Sequence, residues 1–191
     1  SELSIESTFI GGLRVTDKNT IKVVEEVLIE FNKEIVCALK NLSCKAKSIT
    51  VKESNAILVK PERSELWFVG IPEKINSDII EDAVKNKNIP VLSPMGLDRD
   101  GLSYNINADT AAGAVAKALN SRRLLLMTNV EGVYDKNKKL IPEITSAEAD
   151  KMMKEETITS GMIPKINTCL DAVNNGVRGV VIIDGRKPHS I

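Results

Sequence analysis

A chain of 191 residues with 42% hydrophobic side chains is long enough to bury a substantial core. Lys plus Arg and Asp plus Glu each number 26, which argues against a nucleic-acid binder that relies on a net positive field. Apolar runs such as Leu124 to Met127 and Val180 to Ile183 are far too short to span a bilayer, and Ser1 to Ile10 has no charged start followed by an apolar block; a soluble, cytoplasmic protein without membrane partners is expected.

From Thr16 or Asp17 as N-cap, apolar residues recur at helical spacing at Ile21, Val24, Leu28, Phe31, Ile35 and Leu39, which predicts one amphipathic helix over Asp17 to Lys40. Short apolar or alternating runs at Ser48 to Val51, Ala56 to Val59 and Leu66 to Val69 are separated by Glu53-Ser54-Asn55 and Pro61-Glu62, so a strand followed by a hairpin is expected. Asn76 or Ser77 can cap a helix through Val84, and Ile89 to Leu92 then reads as a buried strand. Ala108 to Leu119 is alanine-rich and helical, and Leu124 to Met127 is strand-like. Ser146 is placed as the cap of a helix to Lys154, Gly161 to Asn174 forms the next, and Val180 to Ile183 makes a final strand. Strands alternating with helices imply a parallel-rich sheet covered on both faces.

The three cysteines, Cys37, Cys44 and Cys169, show neither C-x-x-C spacing nor a nearby histidine pair. Buried thiols without disulfide or zinc are expected. With His189 as the sole histidine, a Ser-His or Cys-His nucleophile has a single candidate base, near a chain end.

Five segments carry chemistry, each near a predicted strand end, where ligands collect in open α/β sheets. Gly11-Gly12-Leu13-Arg14-Val15-Thr16 places a planar guanidinium beside two glycines, a fit for a carboxylate. Asn105-Ile106-Asn107-Ala108-Asp109 offers amides and a carboxylate where a loop turns into a helix. Thr128-Asn129-Val130-Glu131-Gly132-Val133 is a strand-end loop, Gly161-Met162-Ile163-Pro164-Lys165 puts a cation at a helix start, and Asp184-Gly185-Arg186-Lys187-Pro188-His189 is rich in turn formers. Each has a plainer reading. Arg14 and Lys165 are ordinary surface cations, Asn107 and Asp109 cap a helix for roughly 1 kcal/mol, and the last segment is a surface turn as readily as a ligand contact. For Asn107 the cap is preferred.

In this order the five segments resemble the acetylglutamate kinase branch of the amino acid kinase family. The resemblance implies a three-layer αβα fold with a mostly parallel central sheet, the amino acid kinase or carbamate kinase-like fold. It also implies transfer of the γ-phosphoryl of ATP to the side-chain carboxylate of N-acetyl-L-glutamate, in arginine biosynthesis. By the same resemblance Arg14 and Asn105 bind the acceptor, Asp109 orients phosphoryl-facing lysines, and Lys165 stabilises the transition state. Asn129, Val130, Glu131, Gly132, Val133 and Tyr134 border the nucleotide, with a second nucleotide segment at Thr157, Ile158 and Thr159. Many members carry aspartate where Asn129 stands, so a charge expected there is missing. Mg2+ is expected to be held mostly by nucleotide oxygens and water, without a protein metal site, and a homo-oligomer, dimer or higher, is implied.

Family members carry a first lysine and a glycine-rich loop ahead of the Leu-Arg-Val-Thr segment, and a closing strand after the Pro-His pair. Neither is found here, so the expectation is one domain over residues 1–191, incomplete at both ends, with little kinase activity by itself. A kinase for carrier-bound aminoadipate in lysine biosynthesis and a non-catalytic fragment of an amino acid kinase stay open as alternatives.

Overall fold

In the computed structural model the residues described are 8–10, 13–158 and 162–190. They fall into two compact units, one ending at Ala111 and the other beginning at Ala112.

In the first unit, β1 (Phe9–Ile10) pairs antiparallel with β2 (Leu13–Arg14). Helix α1 (Lys18–Asn41) starts at Asp17, whose carboxylate accepts from the backbone N of Asn19 at 3.0 Å and of Thr20 at 2.7 Å, satisfying two N–H groups that the helix cannot. The buried stripe of α1 differs from the expected one by one position. Asn32 takes the buried place, donating Nδ2 to the Val91 carbonyl at 2.8 Å, and Phe31 is exposed. A hydrogen bond to a neighbouring strand outweighs apolar character here, because a buried backbone acceptor left unpaired is costly.

Strand β3 (Ala46–Ile49) lies parallel to the later β6 (Ile89–Leu92). Between them, β4 (Ile57–Pro61) and β5 (Gly70–Ile75) form the expected hairpin, with a register shift between Leu58 and Val59. Its second strand begins at Gly70. Of Leu66 to Val69, expected as strand, Leu66 ends a 3-10 turn at Ser64–Leu66, and Trp67 and Val69 make only isolated bridges, to Thr16 and Asn105. Leu66 is fully buried, so its apolar character fills the core without strand pairing. Pro72 is tolerated in β5 because this strand is the sheet edge, where no partner needs its N–H.

Helix α2 (Ser77–Lys85) follows, and after β6 come β7 (Met95–Leu97) and β8 (Ser103–Asn105), a hairpin that the reading by periodicity missed. The strand order is β5-β4-β7-β8. Gly96 permits it, since a Cβ there would stand 2.4 Å from Val59 Cγ1 and 2.5 Å from the Ile57 carbonyl oxygen.

Helix α3 (Ala108–Ala118) leads into the second unit, where β9 (Leu124–Thr128) and β12 (Val180–Asp184) pair in parallel. Between these strands run the short hairpin of β10 (Val133–Tyr134) and β11 (Leu140–Ile141), then α4 (Ser146–Lys154) and α5 (Ile163–Asn174). The cap of α4 is Thr145, one residue before the expected Ser146, because Thr145 and Glu148 complete a capping box. Pro164 sits in the first turn of α5, where a missing N–H costs nothing. The start expected at Gly161 lies outside the described residues.

One face of the β9–β12 pair packs on helices through Ala116, Leu124, Leu126, Ala172 and Val177. Gly113 lets α3 approach α5, since a Cβ would come within 2.8 Å of Thr168 Cγ2, and Lys117 pairs with Asp171 alongside. A second cluster of Val133, Ala149, Ile158 and Ile166 joins the hairpin to α4 and α5. The cysteines form no disulfide, but none of them is fully buried: Cys37 is exposed, and Cys44 and Cys169 are half-buried. Cys37 lies on α1, Cys44 just after the turn that follows it, and Cys169 on α5 beside the Ala116–Val177 cluster, where sequence reading placed all three in the core. Among the described residues no helix is long and apolar enough to cross a membrane.

Candidate functional site

In the first unit, Arg14 and Asn105 are 91 positions apart in sequence order but are joined by one short segment of backbone. The Thr16 N–H donates to the Leu66 carbonyl at 3.2 Å, the Phe68 N–H donates to the Thr16 carbonyl at 2.8 Å, and the Asn105 N–H donates to the Phe68 carbonyl at 2.9 Å. Residues 66–68 therefore strap the chain just after Arg14 to the end of β8. Thr16 is completely buried, while Arg14 is exposed and Asn105 half-buried, so a rigid backbone presents two side chains that reach outward. The Phe68 and Tyr104 rings meet at 5.6 Å and stiffen the crossing. Trp67, at the crest of this strap, is 60% exposed and takes a left-handed φ of 57°, a conformation costly for a residue with a Cβ.

Just beyond Asn105, the Asn107 side-chain oxygen accepts from the Thr110 N–H at 3.1 Å and from its hydroxyl at 3.3 Å. Asn107 is the cap of α3, as preferred from the sequence. Asp109 lies half-buried in the first turn of α3, where a carboxylate complements the helix dipole.

In the second unit, Lys165 is the third residue of α5 and half-buried. It thus stands among backbone N–H groups without intrahelical partners, an arrangement suited to anions. A cavity of about 800 Å3 opens nearby in sequence terms, lined by Val130, Gly132, Val133, Tyr134, Thr157 and Ile158, six of the residues expected on the nucleotide side. Its size falls in the range of small-molecule and cofactor sites. Thr157 contributes to its wall, while its hydroxyl is shielded from solvent and has no hydrogen-bond partner in the described structure. Thr159 lies outside the described residues.

Asn129 and Glu131 share this loop but do not line the cavity. The sequence reading also missed Asp135, Lys136, Lys138, Glu156 and Met162, which do line it. For Asp135, Lys136 and Lys138 the signal was the polar stretch Asp135 to Lys139 between two short apolar pairs, a hairpin turn in which the Asp135 carboxylate accepts from the N–H of Asn137 and of Lys139, each at 2.8 Å.

The turn after β12 meets the loop after β9. Asp184 is buried and accepts from the Arg186 backbone N at 3.0 Å, from Nε at 3.0 Å and from Nη2 at 2.9 Å. These Arg186 hydrogen bonds hold the carboxyl well below its ordinary value of 3.8, at about 2. A depressed folded-state value gives stability that is present above the unfolded pKa and is lost as pH falls through the folded one. Stability is therefore expected to decline from about pH 4 to about pH 2 on this account, and Asp184→Asn should flatten that decline. Urea midpoints measured across the window check it, and parallel curves for the two proteins would contradict it. Asp17, Glu53, Glu131 and Glu148 are also lowered by hydrogen bonding, so a residual slope should persist in the variant.

Residues 1–184 match the amino acid kinase family. An acetylglutamate kinase of Pelagibacter ubique (strain HTCC1062) is 56% identical over 190 residues, a match that covers 100% of this chain and 66% of that protein. The chain thus spans about two thirds of the length of this curated relative. Among solved structures, smu.665 of Streptococcus mutans UA159 superposes with a TM-score of 0.90 at 33% identity, over 96% of this chain and 75% of that one. Giardia carbamate kinase, at 18% identity and a TM-score of 0.62 over 87% of this chain and 65% of its own, shares the three-layer αβα fold with a mostly parallel sheet.

Proposed function

The chain belongs to the amino acid kinase family, and from that membership we propose that it forms the greater part of an acetylglutamate kinase, transferring the γ-phosphoryl of ATP to the side-chain carboxylate of N-acetyl-L-glutamate. The observation that carries this reading is the 56% identity to an acetylglutamate kinase along the whole chain. Arg14 holds the α-carboxylate of the acceptor, and Asn105 pairs with its amide-bearing main chain. Asp109 is the orienting carboxylate, and Lys165 meets the charge of the transferring phosphoryl group. Val130, Gly132, Val133, Tyr134, Thr157 and Ile158 enclose the adenine nucleotide, with Asn129, Glu131 and Thr159 in the same segments.

The acceptor carboxylate is ionised at neutral pH and is itself the nucleophile, so no general base is needed. Its oxygen forms the new bond to phosphorus as the bond to the ADP oxygen breaks, giving an acyl phosphate and ADP. In such a transfer the protein chiefly positions reactants and neutralises charge. Among the described residues no cluster of carboxylates, cysteines or histidines is arranged to hold a metal ion; on this reading Mg2+ is held through nucleotide oxygens and water. When bound, Mg2+ would offset phosphate charge. The reading places the protein in arginine biosynthesis in the cytoplasm, as a homo-oligomer of a dimer or more.

The test is ADP release by the protein expressed from its complete reading frame, with N-acetylglutamate, free glutamate and N-acetylaminoadipate as acceptors. N-acetylglutamate is expected to be preferred over free glutamate by about a hundredfold or more in kcat/KM, because a site built for an acylamide leaves polar groups unpaired without it. Equal rates with free glutamate would refute the assignment.

A further inference from the structure

Asn129 and Glu131 face a different neighbour from the residues between and beside them. Val130 and Gly132 line the cavity. The Asn129 carbonyl instead accepts from Arg186 Nη2 at 2.6 Å, and the Glu131 carboxylate is paired with the Lys187 ammonium. Arg186 is itself fixed by three hydrogen bonds to the buried Asp184 carboxylate, all of 2.9 to 3.0 Å. The turn is closed by the Ser190 hydroxyl, which lies 2.8 Å from the Asp184 carbonyl and 2.7 Å from that of Lys187. It is anchored to the sheet as well, since the Gly185 N–H donates to the Thr128 carbonyl at 2.9 Å.

We propose that the Asp184–Arg186–Lys187 turn is a positioning latch for the nucleotide site, holding the 129–132 loop at two alternate residues so that the other two stand in the cavity wall. None of the latch side chains needs to touch the ligand. Strand pairing explains why the turn can do this: β9 and β12 are parallel and in register from Val180 against Leu124 to Asp184 against Thr128, so both strand-end loops leave the sheet side by side. Arg186 suits the task because its planar fork can bind a carboxylate with one edge and still offer an N–H to a carbonyl. A lysine at 186 could not do both with fixed geometry.

This inference rests on the nucleotide reading of the cavity, and direct binding separates the two. Isothermal titration with Mg-ADP is compared for the protein expressed from its complete reading frame, unchanged and as Arg186→Gln, Arg186→Lys, Glu131→Lys, Lys187→Glu and the double charge exchange, with folding of each followed by circular dichroism. Both Arg186 variants are expected to weaken ADP binding about tenfold, through loss of a preorganised wall. Each single charge reversal should weaken binding, and the double exchange should restore it. In the kinase assay the same variants should raise KM for ATP by a larger factor than they lower kcat, whereas a purely structural role would lower the melting temperature and leave ADP affinity of the folded protein unchanged. Unaltered ADP affinity in Arg186→Gln and in both single reversals would overturn the latch. If Arg186→Gln does not fold, the charge-exchange series decides alone. Failure of the unchanged protein, expressed from its complete reading frame, to bind any adenine nucleotide would overturn the kinase reading and the latch with it.

Discussion

Lys165→Ala is expected to lower kcat for N-acetylglutamate phosphorylation by about a hundredfold to a thousandfold while changing KM for the acceptor only slightly. On the proposed reading, a cation on the first turn of α5, among backbone N–H groups without intrahelical partners, would act on charge that spreads over the transferring phosphoryl oxygens. Interactions stronger in the transition state than in the ground state appear in kcat. On the same reading Arg14 would answer a carboxylate that stays charged throughout, so Arg14→Ala should show the reverse pattern, a large rise in KM for N-acetylglutamate and a small change in kcat. Steady-state kinetics of the two variants with saturating ATP distinguish the roles. A larger affinity loss in Lys165→Ala than in Arg14→Ala would exchange the assignments.

Gly96→Ala is expected to destabilise the first unit by about 3 kcal/mol or more, enough to abolish much of a typical domain's stability. The added methyl group would lie 2.4 Å from Val59 Cγ1 and 2.5 Å from the Ile57 carbonyl oxygen. Val59 is 1% exposed and Ile57 3%, so neither can retreat without opening the core, and β4 would have to separate from β7. By contrast, Gly179 has nothing within 4 Å of the same position, and Gly179→Ala should be nearly neutral. The sole tryptophan, Trp67, belongs to the first unit, so its fluorescence follows urea unfolding for Gly96→Ala, and far-ultraviolet circular dichroism follows it for Gly179→Ala in the second. Coincident unfolding midpoints for the two variants would contradict the steric account.

The long helices were legible because their signals are repeated many times over a window. Asp17 as cap and the extent of α1 follow from one side chain and a 24-residue pattern. The exchange of Phe31 for Asn32 in the buried stripe was not legible, since it depends on a carbonyl of Val91, far off in sequence. The β7–β8 hairpin did carry a local signal in Asp100-Gly101. There the Asp98 carboxylate accepts from the N–H of Asp100 and of Leu102, each at 2.9 Å, and Gly101 takes φ 79°. Three-residue strands give too few alternations for a periodicity argument. At the site, the motifs named the residues between the strands and helices, while the roles of neighbours within a motif were invisible. Asn129 and Val130 look equally suited to a nucleotide in sequence, and only the position of Arg186 separates them. Charges such as Lys136 and Glu156 line the cavity from turns that, read alone, resemble ordinary solvated surface.

The backbone strap of residues 66–68 joins two loops that would otherwise be independent variables. An inserted or deleted residue within it would displace the Thr16 and Asn105 attachments together, because each depends on a carbonyl or N–H of the same three residues. The spacing between Arg14 and Asn105 then behaves as a single dimension of the protein, adjustable at one place in the gene. On the proposed reading, a shift of acceptor length by one methylene would be sought first at Leu66, Trp67 and Phe68, and mutational libraries confined to those codons would sample it without touching Arg14 or Asn105.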